Sequence, residues 1–214
     1  GDDVINGTNA ADGVVAGAGD DTITTNQGDD AVLGGLGDDI ITLGDGNDRA
    51  AGDGDFSFPE GTAVTTLAAG IISITESAGD GADTIDGGAG DDEILGLGGN
   101  DLIFGGTGND FAFGGSGDDV IDLGDGSNEA DGGDGNDIIT GGSGNDSVSG
   151  SAGDDFLIGN GGDDFLFGGS GDDTLTGGDG NDELDGSDGN DSISGGAGDD
   201  RLFSGIGSNS LDGG

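Results

Sequence analysis

The chain has 214 residues, of which 57 are Gly, 47 are acidic and two are basic (Arg49 and Arg201), for a formal charge of −45. That charge repels phosphate and speaks against nucleic acid and nucleotides as partners. The lack of any Cys or His excludes disulfides, thiolate metal sites and His-based triads within the segment. Hydrophobic residues make up 29 %, which at this charge lies near the border below which a chain stays disordered. No apolar run reaches the length of a membrane span, and no signal peptide is visible.

In chain order, residues 1–51 carry a rough period of nine: a partial unit at 1–6, then 7–15, 16–24, 25–33, 34–42 and 43–51. Its sixth position holds Asp3, Asp12, Asp21, Asp30, Asp39 and Asp48; its eighth holds Ile5, Val14, Ile23, Val32, Ile41 and Ala50. The turns GTNAAD (7–12) and TNQGDD (25–30) lack expected glycines, so cation affinity is expected to be lower there. Residues 52–77 break the period. They contain the single Pro, Pro59, and alternating apolar residues that predict strands over Val64–Leu67 and Ile71–Thr75. The insertion is expected to form a surface loop or a clasp lying on the stack.

From 78 to 214 the period never slips. GGAGDDEIL (87–95), GGTGNDFAF (105–113), GGDGNDELD (177–185) and GGAGDDRLF (195–203) show the template. Position 4 is always Gly. Position 6 is Asp83, Asp92, Asp101, Asp110, Asp119, Asp137, Asp146, Asp155, Asp164, Asp173, Asp182, Asp191 and Asp200, with Asn128 and Asn209 the exceptions. LGDGSNEAD (123–131) echoes LGDGNDRAA (43–51), and both are expected to be local weak points. The pattern G-G-x-G-x-D-x-U-x, in unbroken register, is a signature of calcium-binding nonapeptides. The chain resembles the RTX, or hemolysin-type, calcium-binding repeat family over nearly its whole length outside the insertion.

That resemblance implies an all-β, right-handed parallel β-roll: six residues turn around a calcium ion, three form a short strand, and two nonapeptides make one coil. One continuous solenoid, excerpted from a longer protein, is expected. Calcium takes six to eight oxygens from carboxylates and carbonyls. Glycines at positions 2 and 4 allow positive φ, and Asp or Asn at position 5 would tolerate left-handed geometry. The position-6 aspartates are the candidate ligands. Asp83 should meet Asp101, and Asp101 meet Asp119, on one edge. Asp92 should meet Asp110, and Asp146 meet Asp164, on the other. Shared gaps allow multiple Ca2+ ions, up to about 17; those beside Asn128 and Asn209 should be weak or empty.

Alternation sends position 8 inward and positions 7 and 9 outward. One buried aliphatic, worth about 1.5–3 kcal/mol, cannot offset nine ordered residues at about 1–2 kcal/mol each. Metal binding must supply the difference, so folding and ion binding should coincide. Phe104 and Phe156 point outward, and Phe111, Phe113, Phe165, Phe167 and Phe203 fall on one sheet as candidates for self-association or contact with a neighbouring domain.

The reading is a non-enzymatic calcium-binding structural module of a secreted or surface-displayed bacterial protein. By resemblance, it would leave through a type I secretion channel unfolded and fold outside the cell. An alternative is a surface-assembly module (S-layer, adhesin or filament) that associates through exposed Phe and coil ends. An ice-binding adhesin region is a minor alternative, disfavoured because position 3 carries no row of Thr.

Overall fold

The structure, a computed structural model, describes residues 1–53 and 81–214. These form a parallel β-solenoid whose strands alternate between two sheets. The first, of 11 strands, runs from Val4–Asn6 to Ser210–Asp212; the second, of 10, runs from Gly13–Ala18 to Arg201–Phe203. Each strand pairs with the next strand but one, because one coil takes two nonapeptides. Ile103 thus lies beside Ile121, and Ile121 beside Ile139.

The strands are longer than expected. They span six residues, as in Leu102–Thr107, and run from position 7 through position 3 of the next repeat. The reason is the in-register stacking itself. Identical coils set backbone N–H and C=O groups opposite each other in the turns as well as in the strands. The N–H of Gly108 donates to the carbonyl of Asp125 at 2.9 Å, and that of Val120 donates to the carbonyl of Asp101 at 2.9 Å.

The longer strand carries the alternation one step further. Position 8 points inward, and so does position 1. The position-8 residues Ile41, Ile85, Ile94, Ile103, Ile139, Leu157 and Leu175 are wholly buried in one continuous core. Leu43 and Leu123 occupy position 1 and are equally buried in that core. The two repeats read as weak points therefore carry extra core. A leucine at an inward position removes apolar surface from water, and Leu123 lies two residues from Ile121, on the same side of the strand.

The sheets continue across the break in the period. Ile41 pairs with Ile85, and Ala50 with Ile94. Gly52 and Asp53 complete the strand Arg49–Asp53. The coil is again in register at Gly81, where a Cβ would lie 2.1 Å from the carbonyl oxygen of Gly37, a position-4 residue like Gly81 itself. The strands expected over Val64–Leu67 and Ile71–Thr75 lie outside the described residues. A second, small apolar cluster of Leu33, Ala51 and Leu97, with Leu95 against it, is buried on the outward side of the second sheet.

Candidate metal centre

The stacking carries every position-6 side chain to one of two edges. On the first edge the backbone N–H of Asp83 donates to Oδ1 of Asp101 (2.8 Å), that of Asp101 to Asp119 (2.7 Å), and that of Asp119 to Asp137 (2.8 Å). Asp155, Asp173 and Asp191 continue the row. On the second edge Asp92 donates to Asp110 (2.9 Å), Asp146 to Asp164 (2.9 Å) and Asp164 to Asp182 (2.9 Å), with Asp200 last. The rows also bridge the insertion, through Asp39 to Asp83 and Asp48 to Asp92, both at 2.6 Å. Asp3, Asp12, Asp21 and Asp30 extend the rows to the N-terminal end. Asp3 is exposed and Asp12 and Asp200 are half-buried; the other predicted aspartates are buried.

One carboxylate oxygen is thus used in stacking. The second is not. Oδ2 of Asp92, Asp110, Asp119, Asp137, Asp146 and Asp164, among others, is buried with no hydrogen-bond partner. Each of these six lies over the α-carbon of the position-1 glycine of its own repeat. A Cβ on Gly114 would come within 2.3 Å of Asp119 Oδ2, and one on Gly177 within 2.2 Å of Asp182 Oδ2. Glycine at position 1 leaves room for a carboxylate oxygen in these repeats, although Thr25 and Leu43 occupy the position in the repeats of Asp30 and Asp48. Continuing the alternation from position 8 to position 1 in the sequence would have exposed this inward site.

Backbone carbonyls of the turns also face the neighbouring coil. The carbonyl oxygen of Gly90 lies 1.6 Å from where a Cβ on Gly108 would stand, one coil on. Gly108 also has φ 140°, open mainly to glycine. Position 2 follows the same rule, and every non-glycine residue with positive φ among the described residues sits there: Asn26, Leu97, Ser151, Asn160 and Ser187. Position 5 has no positive φ, so its Asp and Asn residues are not there for left-handed geometry. They form a second, exposed ladder in the opposite direction. The N–H of Asn136 donates back to Oδ1 of Asp118 (2.9 Å), and that of Asp154 to Oδ1 of Asn136 (2.8 Å). A short polar acceptor is needed at each rung.

The electrostatics of the inner row are unfavourable as it stands. Burial pushes the Asp83 carboxyl up to about 8; the N–H of Asp39 opposes this, and repulsion from Asp101 and Asp39 adds to it. Burial likewise pushes Asp92 and Asp137 up to about 7, and Asp39, Asp48, Asp119, Asp164 and Asp173 up to about 6. A desolvated carboxylate without a partner is costly, and a cation or a proton must neutralise it. The available donors are all oxygens, which suits a hard cation such as calcium and not zinc. No three His, Cys, Asp or Glu side chains come together among the described residues, so carbonyls must complete any coordination sphere.

Asn128 is buried in the second row. Its Oδ1 accepts the N–H of Asp110 (2.9 Å) like any rung, but its Nδ2 has no partner where the aspartates carry a charged oxygen. Leu123, at position 1 of the same repeat, is buried in the core where most repeats have glycine. Asn209, half-buried at the C-terminal end, also keeps the stacking bond, accepting from Asp191 N–H at 2.7 Å.

The outward Phe111, Phe113, Phe165, Phe167 and Phe203 all lie on the second sheet. Glu129, Asp131, Ser147 and Ser149 separate the first pair from the second. No helix among the described residues is long and apolar enough to cross a membrane.

A comparison with curated proteins gave no match. The family model of the RTX calcium-binding nonapeptide repeat matches eight stretches, most of them overlapping: 1–23, 15–50, 24–57, 77–112, 95–130, 113–148, 140–175 and 176–211. With the paired inner rows, the glycine-gated carbonyls and a match spanning most of its length, the chain belongs to the RTX calcium-binding nonapeptide repeat family.

Proposed function

We propose that this β-roll is a calcium-triggered folding module of a secreted or surface-displayed bacterial protein. The observation that carries the reading is the set of buried, partnerless Oδ2 atoms of Asp92, Asp110, Asp119, Asp137, Asp146 and Asp164. A roll with those groups ionised and no cation would hold many desolvated negative charges, which no core one side chain thick can offset. Calcium, when bound, supplies positive charge and a flexible sphere of oxygen ligands. The position-6 aspartates from Asp3 to Asp200 would hold it, together with carbonyls of positions 2 and 4. The fully buried rungs between Asp21 and Asp191 would bind most tightly. The ends and the Asn128 rung would bind weakly.

The protein's role is then mechanical and conditional. In a compartment low in calcium, self-repulsion at a charge of −45 keeps the chain expanded. That state suits passage through a type I secretion channel. Outside the cell, calcium closes the gaps coil by coil and the roll stiffens or displays the parts of the protein attached to it. No catalytic role is proposed for the segment.

The test is far-UV circular dichroism with sedimentation velocity while calcium is titrated into metal-free protein at neutral pH. The expected result is conversion from an expanded chain to a compact β form, with magnesium a poor substitute. A β-rich, compact species that persists in excess chelator would refute the reading.

A further inference from the structure

The outward faces of the two sheets differ in charge. The second sheet's outer face carries both arginines, each in an ion pair: Arg49 with Glu93 (2.8 Å) and Arg201 with Glu183 (3.4 Å). The first sheet's outer face has no cation among the described residues, and its middle is apolar. Leu102, Val120, Ile138 and Phe156 lie side by side at position 7 of successive coils, and Phe104 and Ile158 flank them at position 9. Val120 is 39 % exposed, Ile138 46 %, Phe156 41 % and Phe104 36 %. The adjoining outward row, at position 2, is Gly106, Gly124 and Gly142, followed by the exposed Asn160 in the coil of Phe156, so over three of the four coils no side chain there holds a second surface away. A contiguous, flat apolar patch on a highly charged protein marks an interface.

We infer that this face of the first sheet binds the same face of a second copy of the chain, in the calcium-loaded state. Charge argues for a copy. The acidic side chains crowd the two edges, where a basic partner would bind, whereas the position-7 and position-9 rows of the patch hold one charged residue, Asp122, with Asp125 exposed at the margin. Two copies meeting through this face keep their acidic edges at the margin, in water.

The patch is also self-complementary. Two sheets packed face to face about a two-fold axis along the strands keep their strands aligned and reverse the order of coils. With the axis between the coils of Val120 and Ile138, Val120 faces Ile138 of the second copy and Leu102 faces Phe156. Phe104 then faces Ile158, and Asp122 faces Thr140, whose hydroxyl is able to donate to it. The single buried charge thereby gains a partner. Four coils at about 4.8 Å by six residues at about 3.3 Å give roughly 380 Å² per copy, or about 760 Å² in all. That falls below the roughly 1,200 Å² of standard stable interfaces, so the dimer is weak and dependent on concentration.

The experiment is sedimentation velocity over a range of protein concentrations in saturating calcium at physiological salt, with circular dichroism on the same samples. The wild type is expected to pass from monomer to dimer. The pair Val120→Thr and Ile138→Thr, which preserves strand propensity, is expected to weaken the dimer on the order of a hundredfold. Phe165→Thr with Phe167→Thr, on the opposite sheet, is expected to leave it unchanged. A folded monomer at every concentration overturns the proposal and leaves the calcium reading intact. A dimer lost with the Phe165 and Phe167 variant but kept with the Val120 and Ile138 variant also overturns it. A chain that stays unfolded in calcium overturns both.

Discussion

Each edge of the roll carries two rows of nearly identical side chains, and they behave differently. Asp118 and Asp119 are neighbours in sequence. Asp119 is buried in the inner row, where its Oδ1 accepts the N–H of Asp101 and its Oδ2 has no partner. Asp118 is exposed in the outer row, where it accepts the N–H of Asn136 and stays in contact with water. The outer row stitches coil to coil at little electrostatic cost. The inner row stitches the same coils while desolvating a charge at each rung. The same chemical group is thus a staple in one row and a cation requirement in the other, and burial alone makes the difference.

The largest test of this contrast is pH without metal. Inner-row pKa values are raised in the fold, up to about 8 at Asp83 and about 6 to 7 along much of the row. The folded state therefore binds more protons than the unfolded one, and stability falls as pH rises. The metal-free roll should be most favoured below pH 3.8, the ordinary value of the unfolded carboxyl, and be lost as pH passes through about 6 to 8. Circular dichroism of metal-free protein across pH 3 to 9 reads this directly; β signal growing with pH would reverse the sign and sink the argument.

Breaking single rungs should come next in size. Asp164→Ala removes a carboxylate bounded by Asp146 and Asp182, and should weaken calcium-driven folding about tenfold or more. Asn128→Ala removes a neutral rung and should shift the calcium midpoint less. Equal shifts in a calcium titration would mean that the charge of the inner row does not set affinity. Asp118→Ala, in the outer row, should leave calcium stoichiometry unchanged and lower stability by about 0.5–1.5 kcal/mol, the worth of one lost stacking bond. Isothermal titration beside chemical denaturation separates the two effects.

The smallest expected effect concerns backbone strain at the turns. Asn160 is exposed with φ 75° at position 2, where the template has glycine. Asn160→Gly should raise stability by a few tenths of a kcal/mol, because Asn tolerates the left-handed region better than other side chains do. A clear loss of stability would instead assign Asn160 a contact that its geometry does not show.

Much of this was legible beforehand because the physics repeats every nine residues. The inward row at position 8, from Ile23 to Ile193, follows from alternation, and the partnering of Asp83 with Asp101 follows from a coil of two nonapeptides. Position 1 was not legible, because glycine has no hydropathy to declare a direction; only the longer strands turned Leu43 and Leu123 into core. Position 5 was misassigned because Asp and Asn serve equally as left-handed residues and as acceptors, and only the stacked neighbour distinguishes the two roles.

The sequence by itself determined the period, the solenoid architecture, the aspartate rows and the need for cations, since each depends on local spacing and net charge. The tertiary structure decided the rest: that the coils rejoin across the insertion through Asp39 with Asp83 and Asp48 with Asp92, that at rungs such as Asp110, Asp119 and Asp164 one carboxylate oxygen is left buried and the other bonded, and that Leu102, Val120, Ile138 and Phe156 make one continuous outer face. These are relations between residues 18 or more positions apart. They exist only once one coil lies on the next and shields it from water.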